Sequence, residues 1–469
     1  GGRDGVGCGG VLSRLVLLAA LGAAVVALTA VAPTLFDLWR EPAFVAVGIA
    51  SGLIALLASH LARDAPERGA LVIVLVAAAV VRVVALGEPP LLSTDVYRYA
   101  LDGRVQGAGI NPYRFVPADP ALAFLRDADV YPHINRADYA HTAYPPFAQI
   151  AFFLATRFGD GVDAIRIAFV VGEAAIVALL AVLLARLGRS RALVVGYAWH
   201  PLAIWEIANS GHVDALVALA LTGAVTALLL GRRILGALLT AFAVLTKPYA
   251  FAVLPAFWRP WELRAPLLVL AAVAVLYAPY LGVGTHVIGF VPGYLQEEGF
   301  VAGGGFWLVA LARFLGCDRP GLVEVYLGLA FVVFAVLVVR ILRRPAIYAR
   351  GEQIRDVAVL LFVGLFVLSP NYPWYFLPLV PFVALIGGGV LWTTTLLASG
   401  LHVWWPAPDD PTVRFLVWKS VLNGGWILAA LVDLLRRRRF ATPIGRASPR
   451  LDPLLETVSI SPSHPPVRS

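Results

Sequence analysis

Eight stretches of this chain run for about 20 residues with hardly a charge, at 11–33, 43–61, 69–87, 163–187, 213–231, 265–283, 321–342 and 412–435. A helix of that length crosses the roughly 30 Å hydrocarbon core of a bilayer. Lipid offers backbone N–H and C=O groups no partner, so such runs span only as helices that satisfy themselves. The first run is too long and too rich in Ala and Leu for a cleaved leader and reads as a retained span; with no Met at all, position 1 is not expected to be the native start. Hydrophobic residues make up 60% of the sequence and charged residues 14%, against about 45–50% and 25% in soluble domains. These proportions exclude a disordered chain, a secreted disulfide scaffold and a nucleic-acid module. Cys8 and Cys317 fit neither a metal cluster nor a disulfide framework.

Shorter apolar stretches near 192–207, 234–246, 248–258, 356–370, 374–388 and 389–402 have the length of half-helices or re-entrant segments buried against protein. The expected fold is therefore an all-α polytopic membrane protein of about 12–14 transmembrane or half-membrane helices. Alternating the spans puts Arg63, Arg68, Arg186, Arg189, Arg191, Arg232, Arg233, Arg259, Arg264, Arg340, Arg343, Arg344, Arg350, Arg355 and the run 436–439 on one side, against Arg40, Arg313, Arg319 and Arg414 opposite. By the positive-inside rule both termini are cytoplasmic. The chain then divides into N-terminal membrane helices (1–87), a long extracytoplasmic loop (88–162), a helix bundle with outer loops (163–439) and a Pro/Ser-rich, disordered tail (440–469). Within the long loop, the apolar stretch opened by Tyr144-Pro145-Pro146 is too short to span and predicts an interfacial helix. No internal repeat is evident, and nothing favours an inverted-repeat transporter.

The densest chemistry lies at Ser93-Thr94-Asp95-Val96-Tyr97-Arg98-Tyr99-Ala100-Leu101-Asp102, followed by Gly109-Ile110-Asn111-Pro112-Tyr113. Ser93 or Thr94 caps a helix in which Asp95, Arg98, Tyr99 and Asp102 share one face. One reading is an Arg98–Asp102 salt bridge with Asp95 favouring the helix dipole; the other is a catalytic carboxylate at the membrane surface. These residues resemble the first outer loop of the C-superfamily (GT-C) glycosyltransferases, in particular glycosyltransferase family 87 and bacterial polyprenyl-phosphomannose-dependent mannosyltransferases. Further segments are similar to the same family: Trp199-His200-Pro201 leading to Asn209-Ser210-Gly211-His212-Val213-Asp214, with Val213 where the family has Asn; Thr246-Lys247-Pro248-Tyr249; and Ser369-Pro370-Asn371-Tyr372-Pro373-Trp374-Tyr375.

The resemblance implies a GT-C-like bundle whose long first outer loop is catalytic, with Asp95 as general base. The residue chemistry agrees. A sugar hydroxyl becomes a competent nucleophile when a carboxylate takes its proton, and a phosphate leaves readily once cations hold its charge, so inverting single displacement needs only one carboxylate. Lys247, one of only two lysines among 37 basic residues, suits a phosphate as a point charge, or else snorkels from a helix end. Arg98 and Arg82, the latter inside an apolar run, are the other phosphate candidates. Tyr99, Asp102, Asn111, Tyr113, His212, Asp214, Trp374 and Tyr375 are the supporting candidates, Asp102 orienting Arg98 and the aromatics stacking on sugar, lining the lipid groove or simply populating the interface. His212 with Asp214 is a His–carboxylate pair, a proton relay or part of a metal site; no metal ligand set is assigned, although some members of the superfamily use a divalent ion such as Mg or Mn.

The function expected is transfer of a hexose, mannose first, from a polyprenyl-phosphate donor to an extracytoplasmic glycan or glycolipid. The enzyme would lie in a bacterial plasma (inner) membrane as a multi-pass protein with its active site on the extracytoplasmic face. The alternatives are the same chemistry with another sugar, a transporter or lipid-carrier flippase, and a non-catalytic assembly partner. A transporter predicts ionisable groups at mid-membrane and symmetry between halves, whereas the charged and aromatic motifs here concentrate at one face.

Overall fold

The structure, a computed structural model, describes residues 8–258, 262–344, 350–404 and 410–439. Arg259 and the tail 440–469 lie outside the described residues. No β-strand occurs among the described residues. The first two runs form the arms of one long element, α1 (Cys8–Ala62), which carries Pro33 and Pro42 and breaks at Arg40, where φ is 58°. Proline removes a helical hydrogen bond and crowds the preceding turn, which accounts for two arms instead of one rod. The spans expected at 69–87, 163–187, 265–283, 321–342 and 412–435 are found as α2 (Glu67–Gly87), α5 (Val162–Arg186), α9 (Arg264–Tyr277) continued by tighter turns to Ile288, α12 (Leu322–Leu342) and α16 (Pro411–Arg439).

The expected span at 213–231 is shorter than the sequence suggested. Its helix α7 (Asp214–Leu229) has 16 residues, about 24 Å at 1.5 Å per residue, and falls short of the hydrocarbon core. The short apolar stretches are the broken segments expected of them. Residues 192–207 fold as a tight turn, the single-turn α6 (Val195–Ala198) and a π-helical turn Ala203–Asn209. α8 (Arg233–Val244) returns antiparallel to α7 and is followed by tight turns over Pro248–Ala256. α13 (Arg350–Leu368), at 19 residues, is longer than its apolar core implied. Residues 373–402 break into tight turns, α14 (Val380–Leu385) and α15 (Gly389–Leu397).

Among the described residues six helices are long and apolar enough to cross a membrane. In α12 only Ile341 is buried, while Leu329, Phe331, Val332 and Val333 are exposed. An apolar helix with so wide a bare face has lipid as its solvent. The chain is an all-α polytopic membrane protein.

The bundle has two unlike ends. At one, the turns carry arginine: Arg14 donates to the Asp64 carbonyl at 2.7 Å, Arg191 pairs with Glu67, and Arg189 donates to the Leu385 carbonyl. At the other end stand the long loop, the start of α7, the end of α8 and the turns after α13. The loop carries α3 (Asp95–Gly107) and α4 (Pro146–Ala155). The Thr94 hydroxyl does not cap α3, as it had been a candidate to do; it accepts from Asn135 Nδ2 at 3.1 Å, and Ser93 Oγ accepts the Asp95 amide at 3.2 Å. α4 lies tight against α3, where a Cβ on Gly103 would stand 2.5 Å from the Phe152 carbonyl. Phe152 stacks on Tyr99 at 4.4 Å, while Leu154 is exposed.

Two further short helices follow, α10 (Val291–Glu297), whose Glu297 reaches Arg136 and Tyr139 of the long loop, and α11 (Trp307–Phe314), which packs on α12 and α16.

Candidate active site

The position of Asp95 is fixed by the residues just before it. Arg166 on α5, fully buried, donates to the carbonyls of Ala85, Glu88 and Ala208 at 2.9, 2.8 and 3.0 Å. Asn209 accepts the Leu91 amide at 3.0 Å and donates to the Pro89 carbonyl at 2.8 Å. These two side chains sew the exit of α2 to the π-helical turn. Gly211 follows with φ +65°, and a Cβ there would meet Val96 at 2.9 Å, so glycine is required both by backbone conformation and by the approach of α3. The first turn of α3 is thereby pressed against 209–214.

Asp95 and His212 face each other across this contact. Asp95 Oδ2 lies 4.0 Å from His212 Nδ1 and accepts from the Tyr144 hydroxyl at 3.2 Å. Burial and the neighbouring Asp95 carboxylate hold the Tyr144 phenol well above its ordinary value, so it stays protonated and donates. The Asp95 side chain is 21% exposed and His212 is not exposed at all. His212 stacks on Trp374 with ring centroids 4.0 Å apart. Beside them, Lys247 Nζ sits 2.7 Å from Asp214 Oδ2, and Tyr249 donates to Asp214 Oδ1 at 2.7 Å. The Lys247 ammonium lies 4.5 Å from the centre of the Tyr375 ring. It has three donors, of which Asp214 takes one.

Asp95, His212, Asp214, Lys247, Trp374 and Tyr375 are thus gathered into one site. The other candidates are placed around it. Arg98 donates to Asp102 Oδ1 at 2.8 Å and to the Ala140 carbonyl at 2.9 Å, and Gln149 donates to Asp102 Oδ2 at 3.0 Å. Tyr99 is buried between Tyr144 and Phe152. Asn111 accepts the Tyr113 amide and donates to the Tyr280 carbonyl at 2.9 Å; Tyr113 donates to the Tyr144 carbonyl at 2.6 Å, holding the residue that touches Asp95. Arg82 lies apart from the cluster, donating to Glu173 at 2.5 and 3.1 Å and to the Ala198 carbonyl.

His212 looks towards Asp95 and Glu206, not Asp214, which is engaged by Lys247. Glu206 was not among the expected residues. It is 1% exposed, with Oε2 at 3.4 Å from His212 Nε2 and Oε1 at 2.9 Å from His402 Nε2. An acid inside the apolar stretch 192–207 is the same signal that drew attention to Arg82. On the opposite wall, Glu298 is buried and accepts from Asn371 at 2.6 Å and Tyr372 at 3.0 Å. Among the described residues no group of three or more His, Cys, Asp and Glu side chains is arranged to hold a metal ion.

Residues 6–263 match the sequence profile described as alpha-(1->6)-mannopyranosyltransferase, N-terminal domain. The chain belongs to that family. It is a membrane mannosyltransferase, as its resemblance to the polyprenyl-phosphomannose enzymes implied. The matched residues contain Asp95, Tyr144, Glu206, His212, Asp214 and Lys247; Trp374, Tyr375 and His402 come from the part beyond. No curated protein and no solved structure matches this mannosyltransferase.

Proposed function

We propose that the protein transfers mannose from a polyprenyl-phosphate carrier to a mannose-bearing glycan or glycolipid, by inverting single displacement with Asp95 as general base. The observation that carries this reading is the pairing of a part-exposed carboxylate with the buried Lys247 ammonium around the His212–Trp374 wall. The acceptor hydroxyl gives its proton to Asp95 as its oxygen attacks the sugar C1; the C1–O bond to phosphate breaks, and the phosphate keeps the electron pair. Lys247 turns its free donors to that phosphate, where low dielectric strengthens the attraction. Arg98 and Asp102 keep α3 in place beneath the base, and Arg82 holds α2 to α5. Inversion yields the α-mannoside named in the family description only from a β-linked mannosyl phosphate. We place the enzyme in a bacterial plasma membrane with both termini in the cytoplasm and the site outside, because the arginine-bearing turns stand at the end of the bundle remote from Asp95.

The test is transfer of radiolabelled mannose from synthetic β- and α-linked polyprenyl-phosphomannose to a mixed glycolipid extract, by membranes holding the protein or Asp95→Asn. Transfer from the β donor alone, lost in the variant, is expected. Transfer from the α donor would overturn inversion, and undiminished transfer by Asp95→Asn would remove the base.

A further inference from the structure

A phosphate at Lys247 meets an ammonium whose charge is already balanced by Asp214 at 2.7 Å, so it needs further hydrogen-bond donors. The arginines expected beside it are committed elsewhere, Arg98 to Asp102 and the Ala140 carbonyl, Arg82 to Glu173. Three tyrosine hydroxyls of the site are committed as well, each to a carboxylate: Tyr144 to Asp95, Tyr249 to Asp214 and Tyr372 to Glu298. One pair differs. The hydroxyls of Tyr375 and Tyr294 lie 2.9 Å apart and bond to each other. Two hydroxyls hold two protons, and the bond between them uses one. Among the described residues no acceptor takes the second. Both side chains are part-exposed, so a ligand can reach them. The Lys247 ammonium stands over the Tyr375 ring, 4.5 Å from its centre, which puts the hydroxyl at the rim of that ring beside any anion the ammonium holds.

We propose that the Tyr375 hydroxyl donates to the phosphate held by Lys247 and that Tyr294, on α10, is the positioning residue that turns it there, an inference that rests on the donor phosphate lying at Lys247. The field of the anion orders both protons: Tyr294 donates to the Tyr375 oxygen, and Tyr375 donates to a phosphate oxygen. A hydroxyl that accepts one hydrogen bond is polarised to donate the next more strongly. Tyr294 comes from a helix of seven residues with no buried side chain, latched to the long loop through Glu297, which bonds Arg136 and Tyr139. The phosphate site thus draws on three separate parts of the chain: Lys247 after α8, Tyr375 after α13 and Tyr294 on α10.

The experiment is equilibrium titration of the purified protein in detergent with a short-chain polyprenyl phosphate and with the matching polyprenol, which lacks the phosphate. Gel-filtration profiles check that each variant folds. Tyr375→Phe keeps the ring beneath Lys247 and removes the hydroxyl, and should weaken the phosphate about tenfold, the worth of one hydrogen bond to a charge. Tyr294→Phe should weaken it about threefold, and the double variant should be no weaker than Tyr375→Phe, because Tyr294 acts through that hydroxyl. Polyprenol affinity should not change in any of the three. Tyr139→Phe, which loosens α10 without touching the pair, should bind the phosphate as wild type does. Phosphate affinity within about twofold of wild type in Tyr375→Phe, or equal weakening of phosphate and polyprenol, would overturn the contact. Losses that add in the double variant, or a loss in Tyr139→Phe equal to that in Tyr294→Phe, would overturn the positioning role. Lys247→Ala, run alongside, separates the two ideas. If it binds the phosphate as tightly as wild type, the phosphate site at Lys247 falls and the tyrosines with it; if it loses binding while both tyrosine variants bind as wild type, the tyrosines alone fall.

Discussion

The two carboxylates of α3 sit seven residues apart on one helix face yet live in different surroundings. Asp102 is 3% exposed and accepts from both Arg98 and Gln149. Among the described residues Asp95 accepts only from Tyr144; it keeps an open side and has an unmatched imidazole 4.0 Å behind it. A buried carboxylate held at both oxygens holds structure, whereas one with spare acceptor capacity at an accessible edge can take a proton. The same division separates Arg82, locked to Glu173, from Lys247, which retains free donors. Burial alone therefore does not distinguish these groups; the hydrogen bonds left unmade do, and on the proposed reaction they are what Asp95 and Lys247 would use.

The largest effect expected follows from attacking that distinction at Asp95. Asp95→Asn should lower kcat by about 10²–10⁴ with little change in donor KM or thermal stability, as measured by initial rates and detergent melting curves. Asp102→Asn should do the reverse, leaving Arg98 buried beside a neutral partner and destabilising the fold by about 3–5 kcal/mol while activity per folded molecule persists. Equal catalytic loss in the two, at equal stability, would erase the comparison. Lys247→Ala should raise donor KM about tenfold or more, exceeding its effect on kcat; unchanged donor dependence would return Lys247 to a purely structural pair with Asp214. Tyr144→Phe, which removes the sole donor to Asp95, should cost about tenfold in kcat, the worth of one hydrogen bond to a charge. The smallest intervention tests sidedness. With Cys8 and Cys317 replaced, Ala128→Cys, at an exposed position of the long loop, should react with an impermeant maleimide on intact cells and Arg63→Cys should not; the opposite result would invert the membrane orientation.

Much of this site was legible in the sequence. Asp95, His212, Asp214, Lys247, Trp374 and Tyr375 belong to separate motifs that the fold brings together, because each lies where an apolar stretch begins or ends at one face of the bundle. Period and length also anticipated which stretches would be broken. Hidden from that reading were partners supplied from far along the chain. Glu206 and His402 are 196 residues apart, and no local pattern announces their 2.9 Å contact. Arg98 was expected at the donor phosphate, and the same spacing also allows the ion pair with Asp102 that the structure contains. The 16-residue length of α7 was concealed by Val213 before it and Leu230 after it, which extend the apolar run beyond the helix.

The stitching by Arg166 and Asn209 bears on how large substrates get in. Because those two side chains grip the backbone between Ala85 and Leu91 at several points, the long loop has no free hinge at its first end and cannot swing open there as a lid. The facing wall is joined to it differently, through Arg136 to Glu297 at 2.6 Å and Tyr139 to Glu297 at 3.0 Å, contacts that water reaches. Such latches yield readily. Under the proposed reaction, an acceptor would therefore enter past the wall of residues 289–306 rather than by movement of the long loop at its first end.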